Sequence, residues 1–287
     1  MPFLKWAGGK RWMTARHGWL LPARFNTYVE PFVGGGSVLF HIRPKKGLVS
    51  DLNVDLIDTY KAVRQDWKRI EKLLAKHQQL HSESHYYKTR SLRFAEPIEE
   101  AARFIYLNRA CFNGIYRVNL KGVFNVPKGS KDAIVMPDDD FEELAKVLRK
   151  CRIVAQDFEK TIAAAGVGDF VFVDPPYTVR HNNNGFIKYN QNLFAWQDQV
   201  RLRDCVKAAA ARGALVLVTN ANHASVRDLY KGMGIIHTLD RASIISASSE
   251  HRKTSSELAI TVGYDARESG RQPMRPLKVD AESDSPR

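Results

Sequence analysis

The sequence has few of the features that mark secreted or membrane proteins. Its three cysteines, Cys111, Cys151 and Cys205, lie far apart and form no Cys-x-x-Cys pair, so neither a disulfide framework nor a thiolate zinc site is indicated. No apolar run approaches the roughly 18 residues that a membrane helix needs, and motif-bearing sequence begins at Phe3, which leaves no room for a targeting peptide. We therefore expect a cytoplasmic protein without a membrane partner.

Acidic residues are also scarce relative to basic ones. The chain has 31 Asp and Glu against 44 Lys and Arg, which gives a net charge of +13 and favours a polyanionic partner. Apolar residues make up 44% of the 287 residues, enough for a sizeable core. The length suits one large domain or a domain that carries an inserted one.

The segment 103–131 has no acidic residue. It contains the basic residues Arg103, Arg109, Arg117, Lys121, Lys128 and Lys131, interleaved with Phe104, Tyr106, Phe112, Tyr116 and Phe124. Basic side chains neutralise phosphates and aromatic rings stack on bases, so this pattern favours a nucleic-acid surface. The alternative is a half-buried hairpin whose outer face is solvated by its charges.

Strand signals occur in two groups, one near each end of the chain. Strands are predicted at 27–32, 47–50, 152–155, 170–173, 214–219, 235–239, 243–246 and 258–262, and several are the continuous apolar runs typical of buried parallel strands. Helices are predicted at 37–41, at 55–74, at 98–108 and at 197–211. We expect the two flanks to build one α/β sheet, interrupted by an insertion.

The predicted insertion, 56–149, contains a β-hairpin formed by 115–119 and 123–126. His77, His81 and His85 follow one another at four-residue spacing, which would permit metal ligation along a helix. No carboxylate or cysteine partner has ligand spacing, so exposed helix histidines are the simpler interpretation. The polar loop 181–185 suits a segment that orders on binding or an ordinary surface loop. The tail beyond Asp265 is predicted to be disordered.

Three consecutive glycines, Gly34 to Gly36, follow the first predicted strand, and we call residues 31–36 the glycine loop. Such a loop lets a ligand approach the backbone, but the Gly-x-Gly-x-x-Gly pattern of dinucleotide sites is absent. Asp51 ends the second predicted strand, where open α/β folds place an acid that accepts hydrogen bonds from ribose hydroxyls. A helix cap at 51–53 is the alternative.

Asp174, Pro175, Pro176 and Tyr177 directly follow the apolar strand 170–173. The exocyclic amine of a base is a poor nucleophile because its lone pair is delocalised into the ring. If Asp174 and the Pro175 carbonyl each accept one N–H, that lone pair is freed for attack, while Tyr177 stacks on the base. A duplex base would have to be flipped out to reach this pocket. The electrophile would be a methyl sulfonium, whose charge suits the aromatic faces of Trp6, Phe32 and Tyr177.

Together these motifs resemble the DNA adenine methylase (Dam-like, D12 class) family of N6-adenine methyltransferases. The resemblance rests on 3–10, 30–36, Asp51, 108–129 and 174–177, in the family's order, and covers residues 3–264. It implies a Rossmann-like class I methyltransferase sheet with an inserted helical and β-hairpin target-recognition domain. The catalytic, S-adenosylmethionine-binding domain would then be 1–55 with 150–265, the DNA target-recognition domain 56–149, and the disordered tail 266–287.

The resemblance also implies site residues. Those for the cofactor are Trp6, Lys10, Phe32, Gly34, Gly36, Asp51, Asp157, Phe158 and Asp174, with Lys10 on its carboxylate, Asp51 on its ribose and the 157–158 pair around its adenine. A core tryptophan and a solvated lysine are the plainer alternatives for Trp6 and Lys10. The catalytic residues are Asp174, Pro175, Pro176 and Tyr177.

The DNA-binding residues implied are Lys5, Phe112, Asn113, Ile115, Arg117, Pro127 and Lys128. Asn113 and Arg117 have side chains that read adenine and guanine edges in the major groove. The best-known members often have tyrosine at the position of Phe112 and an aromatic residue at that of Lys128, so this segment departs from their pattern at two positions. The resemblance makes GATC a candidate target.

We expect an enzyme that methylates adenine N6 in double-stranded DNA, at the nucleoid, without a metal, an obligatory protein partner or restriction activity of its own. Cytosine N4, an RNA adenine or a protein glutamine are alternative substrates. Related glutamine enzymes usually have Asn at the first motif position and many cytosine N4 enzymes have Ser, so Asp174 favours adenine. A silent DNA-binding module is the alternative outside enzymes, and Lys10 and Asp174 argue against it.

Overall fold

The computed structural model describes residues 2–119, 122–179, 194–241 and 255–267. Its centre is a seven-stranded sheet in the order β3-β2-β1-β4-β5-β7-β6. The strands are β1 (Tyr28–Glu30), β2 (Gly47–Asp51), β3 (Cys151–Ala155), β4 (Phe170–Val173), β5 (Leu215–Ala221), β6 (Ile235–Arg241) and β7 (Ser255–Val262). Strands β1 to β5 pair in parallel, and β7 pairs antiparallel with both β5 and β6. The expected α/β sheet is confirmed.

Nine helices accompany the sheet in the described part of the chain. They are α1 (Arg11–Arg16), α2 (Ser37–Ile42), α3 (Val54–Leu80), α4 (Glu83–Ser91), α5 (Pro97–Ala110), α6 (Phe141–Arg149), α7 (Phe158–Ala163), α8 (Trp196–Ala211) and α9 (Ala224–Leu229). The long helix α3 is broken at Asp66, whose backbone is not helical. Within the described ranges, no helix is both long and apolar enough to cross a membrane.

Strand β4, at the centre of the sheet, consists of four consecutive apolar residues. Phe170 and Phe172 pack into one hydrophobic cluster, and Val171 and Val173 pack into a second. Because successive side chains of a strand point to opposite faces, both faces of β4 are buried. Packing on both faces therefore fixes β4 as far as Val173, the residue before Asp174.

The strand order reverses between β1 and β4, which lie side by side. In open α/β sheets, ligands bind at such a switch point, outside the carboxyl ends of the strands. The glycine loop follows β1 and the motif 174–177 follows β4. The topology therefore brings these two segments to one end of the sheet.

The chain between β2 and β3 contains α3 to α6 and an irregular antiparallel hairpin. Val118 pairs with Phe124, and Cys111 pairs with Lys128. We call residues 111–119 and 122–128 the hairpin. The predicted hairpin is confirmed as isolated bridges rather than as two continuous strands. Domain limits at 56 and 149 remain a prediction.

The three histidines differ from the expectation of exposed side chains on one helix. His77 lies on α3, His81 follows its last residue and His85 lies on α4. All three are half-buried around Tyr106: His77 stacks on its ring at 4.4 Å, and His81 Nδ1 lies 2.9 Å from its hydroxyl oxygen. Burial lowers the pKa of His77 to about 4. These histidines are packing residues of the helical layer.

Several expected segments fall outside the described residues: the strand at 243–246, the loop at 181–185 and positions 268–287 of the tail. Ala266, the first residue of that predicted tail, is buried in the core. The sequence patterns did not predict α1, α4, α6, α7 or α9. All five of these helices have fewer than ten residues, too short for a periodic apolar pattern to stand out.

Candidate active site

Asp174 lies at the carboxyl end of β4, with one of its oxygens held by two donors. Lys10 Nζ is 2.8 Å from Oδ1, and the Thr219 hydroxyl donates to the same oxygen at 2.7 Å. No donor among the described residues contacts the other oxygen, Oδ2, or the carbonyl of Pro175. The carboxylate is thus oriented through one oxygen, and the second oxygen and a neighbouring carbonyl remain as acceptors.

The elements that hold Asp174 follow from the topology. Val173 pairs with Val218 on β5, so Thr219 comes directly beside Asp174. Lys10 is the residue before α1, and its side chain is only 3% exposed. Its ammonium also donates to the carbonyl of Gly8 at 2.8 Å. The predicted pairing of Lys10 with the cofactor carboxylate stays a prediction, since here Lys10 pairs with Asp174.

Tyr177 is fixed by a carboxylate from the far end of the chain. Its hydroxyl donates to Glu257 Oε2 at 2.7 Å. Lys10 Nζ lies 3.6 Å from that oxygen and 4.9 Å from the centre of the tyrosine ring. Because β7 is antiparallel, its first residues lie at the carboxyl end of β5, where Glu257 pairs with Ala221. The ring that was predicted to stack on a base is therefore anchored at its hydroxyl.

Three carboxyl groups at this end of the sheet are difficult to ionise. Burial raises the pKa of Asp174, although Lys10 and Thr219 oppose the shift. Burial raises the pKa of Asp51, and it holds the pKa of Glu30 well above the usual range, with Asp174 and Asp51 adding to it. Glu30 is 2% exposed, and its Oε2 has no hydrogen-bond partner among the described residues. This chemistry fits a ligand that carries positive charge.

Asp51 connects the end of β2 to the glycine loop. Its Oδ2 accepts the N–H of Gly34 at 3.1 Å, and its Oδ1 accepts the N–H of Asn53 at 3.0 Å. The side chain that caps α3 is that of Asn53, which accepts the N–H of Leu56. The alternative reading of the segment as a helix cap thus applies to Asn53. Contact between Asp51 and a ribose remains a prediction.

The glycine loop is glycine-rich because other side chains pack against it. A Cβ atom at Gly34 would lie 2.8 Å from the ring of Trp6, and one at Gly35 would lie 2.9 Å from Trp6 Cβ. A Cβ atom at Gly36 would lie 2.7 Å from the ring of Phe40. The loop therefore accommodates Trp6, which adds a packing reason to the expected approach of a ligand.

The other residues predicted to contact the cofactor are engaged with each other. Phe32 stacks on Phe158 at 5.4 Å, and Phe158 is buried. Asp157 accepts two hydrogen bonds from Arg201, both at 3.0 Å, and also accepts the N–H of Glu159 at the start of α7. The structure thus places Asp157 and Phe158 near Phe32, and their contact with a cofactor adenine stays a prediction.

The predicted DNA-binding residues of the hairpin are mostly exposed. Phe112, Asn113, Ile115, Arg117 and Pro127 are all exposed, and Phe112 shows 53% of its surface. Arg117 Nε donates to Asn125 Oδ1 across the hairpin at 3.2 Å. Asn113 has a φ of 54°, the left-handed region that asparagine tolerates. The exposed residues of the hairpin thus include apolar side chains and an arginine.

The two lysines predicted to bind DNA are held more closely. The backbone N–H and carbonyl of Lys5 both bond to the Asn108 side chain at 2.8 Å, and its Nζ donates to the carbonyl of Arg109 at 3.0 Å. Burial lowers the pKa of Lys5, and Lys131 adds to the shift. Lys128 Nζ lies 3.3 Å from Asp132 Oδ1. Lys5 lies beside the hairpin and Lys128 is its last residue, and both ammonium groups are already bonded.

The expectation that all of 103–131 forms a nucleic-acid surface is wrong for its first part. Arg103 and Arg109 lie on α5 and are buried. Arg103 pairs with Glu100, and Arg109 Nη1 lies 2.6 Å from Asp139 Oδ2. A buried arginine needs a carboxylate partner, and both partners, Glu100 and Asp139, lie outside residues 103–131. For the hairpin part of the segment, a nucleic-acid surface stays a prediction.

Sequence patterns missed three residues of this site: Glu30, Thr219 and Glu257. Glu30 stands one residue before the glycine loop, yet nothing local shows that its carboxylate is buried. Thr219 ends a predicted strand, and the signal that could have found it is the adjacency of β4 and β5. Glu257 has no local signal, because its place depends on the antiparallel insertion of β7.

Metal chemistry has no support in the described ranges. Across 2–119, 122–179, 194–241 and 255–267, no three His, Cys, Asp or Glu side chains come together so as to hold a metal ion. What the described residues do bring together is an oriented carboxylate, a carbonyl without a donor, an anchored aromatic ring and a set of buried acids.

Comparison with known proteins agrees with this chemistry. The family model of D12 class N6 adenine-specific DNA methyltransferases matches residues 6–244. The Type II methyltransferase M1.LlaDCHI of Lactococcus lactis subsp. cremoris is 35% identical over 269 residues, which cover 91% of this chain and 94% of that protein. A DNA adenine methylase of Haemophilus influenzae is 31% identical over 272 residues, covering 91% and 93%. The chain therefore belongs to the D12 class of N6 adenine-specific DNA methyltransferases.

Proposed function

We propose that this methyltransferase uses S-adenosylmethionine to methylate adenine N6 at a specific site in double-stranded DNA, with GATC as the candidate site. The observation that carries the proposal is the state of Asp174, which is fixed through Oδ1 and open at Oδ2 beside the carbonyl of Pro175. These two acceptors would take the two N–H groups of an exocyclic amine. The DNA substrate would place the enzyme at the nucleoid in the cytoplasm.

S-adenosylmethionine supplies a methyl group on a positively charged sulfur when it is bound. The site residues that would hold it are Trp6, Lys10, Phe32, Asp51 and Asp174, with the glycine loop beside them. The buried acids support this choice, because a cation relieves the cost of ionising Glu30, Asp51 and Asp174. A neutral ligand would leave that cost in place.

Asp174 and Pro175 would act on the adenine amine. Asp174 Oδ2 and the Pro175 carbonyl each accept one N–H, which draws the nitrogen towards tetrahedral geometry and localises its lone pair. One amine proton must leave when the nitrogen gains a methyl group, and Oδ2 is the acceptor beside it. Tyr177, anchored by Glu257, would stack on the flipped base.

The product and the recognition site can be determined in one experiment. The gene would be expressed in a host without adenine methylation, and the DNA would be examined by sequencing that reports modified bases and by mass spectrometry of nucleosides. We expect N6-methyladenine at a single short motif. Finding 4-methylcytosine, or product in RNA alone, would reject the proposal.

The role of Asp174 is tested by Asp174→Ala, with the exposed Asp204→Ala as a control for loss of an acidic residue. We expect Asp174→Ala to abolish methyl transfer and to leave duplex affinity within a few-fold of the unmodified enzyme. Asp204→Ala should retain both. Methyl transfer at an unchanged rate by Asp174→Ala would contradict the mechanism.

Sequence choice is tested at Arg117, with the exposed Arg24→Ala as a matched control for charge. Arg117→Ala should lower discrimination at one base pair by about 1–3 kcal/mol. The measurement is methyl transfer to a panel of duplexes that differ from the recognised site at one position each. If the ranking of the panel is unchanged, Arg117 does not read a base.

A further inference from the structure

Tyr116 links the hairpin to the residues around the glycine loop. It directly precedes Arg117, the exposed residue proposed to read a base. Its own ring turns inward and stacks on Trp6, with 5.7 Å between ring centres and 19° between planes. It also contacts Phe104 of α5 at 4.9 Å and Phe124 of the hairpin at 5.7 Å. Tyr116 therefore connects the hairpin to Trp6 by direct ring contacts.

Trp6 in turn rests on the glycine loop without space between them. Cβ atoms at Gly34 and Gly35 would each lie within 3 Å of Trp6 atoms. The backbone N–H of Gly34 donates to Asp51 Oδ2 at 3.1 Å. Closely packed groups cannot move independently. Hairpin, Tyr116, Trp6, Gly34 and Asp51 thus form one continuous series of contacts.

The hydroxyl of Tyr116 makes a second connection to the same region. It donates to Asp55 Oδ2 at 3.0 Å, in the first turn of α3, four residues after Asp51. Arg93 donates to the same oxygen at 3.2 Å. Burial raises the pKa of Tyr116, and Asp55 adds to that shift, so the hydroxyl stays protonated as a donor. Tyr116 is therefore fixed at both its ring and its hydroxyl.

We propose that Tyr116 is a positioning residue that couples recognition of the DNA sequence by the hairpin to binding of the methyl donor at the glycine loop. The proposal rests on the proposed function. When the hairpin engages its base pairs, Tyr116 presses Trp6 into the arrangement that binds the donor. Coupling between two binding sites is reciprocal, so the recognised duplex and the donor each raise affinity for the other by the same factor.

The test measures the dissociation constant of S-adenosylmethionine by calorimetry in three states. These are the enzyme alone, the enzyme with a duplex containing the site found by sequencing, and the enzyme with a duplex in which one base pair of that site is changed. The variants are Tyr116→Phe, which keeps the ring, and Tyr116→Leu, which removes it. Tyr86→Phe is the control, because the hydroxyl of this fully buried tyrosine also bonds to the hairpin, at 2.8 Å to the carbonyl of Val126. Its ring contacts are with Tyr87 and Tyr106, so it lacks the stacking on Trp6 that Tyr116 makes.

With the unmodified enzyme and Tyr86→Phe we expect the recognised duplex to tighten donor binding by about tenfold, within the usual range for coupled sites. The changed duplex should tighten it by less than threefold. In Tyr116→Leu the two duplexes should become equivalent, while the donor affinity of the enzyme alone stays within about threefold of the original. Tyr116→Phe should lie between Tyr116→Leu and the unmodified enzyme.

Three results would overturn the proposal: no coupling in the unmodified enzyme, full coupling in Tyr116→Leu, or an equal loss in Tyr86→Phe. A Tyr116→Leu protein that does not fold leaves the comparison of Tyr116→Phe with Tyr86→Phe, which decides the matter by itself. Failure of the proposed function would look different, because the expression experiment would then show no N6-methyladenine in the host DNA, whatever the donor affinities of the variants.

Discussion

Replacing Thr219 by valine tests whether the orientation of Asp174 sets the reactivity of the site. Valine has nearly the same shape as threonine but cannot donate a hydrogen bond. The substitution therefore removes the 2.7 Å bond to Asp174 Oδ1 and leaves Lys10 as the remaining donor to that oxygen. The bond favours the ionised carboxyl, so its loss raises the pKa of Asp174, which burial has already raised.

The size of the effect follows from the strength of such bonds. A hydrogen bond to a charged acceptor contributes about 1.5–3 kcal/mol, and one pKa unit corresponds to about 1.4 kcal/mol. Loss of the bond should therefore raise the pKa of Asp174 by at least about one unit. Only the ionised carboxyl can take the amine proton at Oδ2. The acid limb of the rate profile should therefore move up by about one pH unit, a tenfold loss of rate at a fixed acidic pH.

The assay is a single-turnover methyl transfer with a radiolabelled donor, across the range from acidic to alkaline pH. Single turnover isolates the chemical step from product release. Thr261→Val is the matched control: Thr261 lies on the neighbouring β7, is buried, and has a hydroxyl without a partner among the described residues. Thr219→Val should cost no more than the contribution of its bond, about 1.5–3 kcal/mol, out of about 5–15 kcal/mol of unfolding free energy. Thr261→Val removes a hydroxyl without a partner among the described residues and should cost little. Both proteins should therefore remain folded.

The pH–rate profiles of the two variants show whether the Thr219 hydroxyl acts by orienting Asp174 or only by filling space. We expect Thr219→Val to recover most of its rate at alkaline pH, while Thr261→Val follows the unmodified enzyme throughout. A uniform loss at every pH would mean that the hydroxyl acts only as packing. An acid limb that does not move would refute the link between Thr219 and the ionisation of Asp174.

Two further substitutions test other parts of the structure. Gly114 has a φ of +64°, and an added Cβ would lie 2.6 Å from the side chain of Lys5, whereas Gly122 has a φ of +72° with nothing within 4 Å. In urea unfolding both alanine variants should lose about 1–2 kcal/mol of stability from the left-handed backbone, and Gly114→Ala should lose more because Lys5 must shift. In duplex titration only Gly114→Ala should weaken DNA binding. Burial holds the pKa of Glu30 well above the usual 4.5. The native protein therefore loses stability as the pH rises through that elevated pKa. The loss is about 1.4 kcal/mol for each unit by which the pKa is raised. Glu30→Gln should abolish that part of the slope in urea unfolding across the same pH range, and an unchanged slope would exclude Glu30 as its source.

The residues that could be predicted from sequence are those whose chemistry is local. Asp174 follows an apolar run that is buried on both faces, and Asp51 follows a second predicted strand, so parallel pairing alone brings their loops to one end of the sheet. The carboxyl-end position of Asp174 required no knowledge of distant residues. Its predicted role depends on a motif of four consecutive residues.

What could not be predicted depends on contacts between distant parts of the chain. Glu257 reaches Tyr177 across 80 residues, and only because β7 enters antiparallel between β5 and β6. Arg109 was expected on a nucleic-acid surface because its neighbours are basic and aromatic. Its partner Asp139 lies 30 residues away, and a charge count over a short window cannot show such a pair.

Burial of three carboxyl groups in the active site lowers the stability of the folded protein and favours binding of a cation. Glu30, Asp51 and Asp174 are all harder to ionise in the fold than in water, so folding alone disfavours their charges. Lys10 compensates Asp174 directly through its 2.8 Å contact, but the described residues form no ion pair with Glu30 or Asp51. A ligand that binds only the folded chain at a hundred times its Kd adds about 2.7 kcal/mol of stability. A bound cation that stabilises the ionised forms of these carboxyl groups would offset part of the free energy that their burial costs.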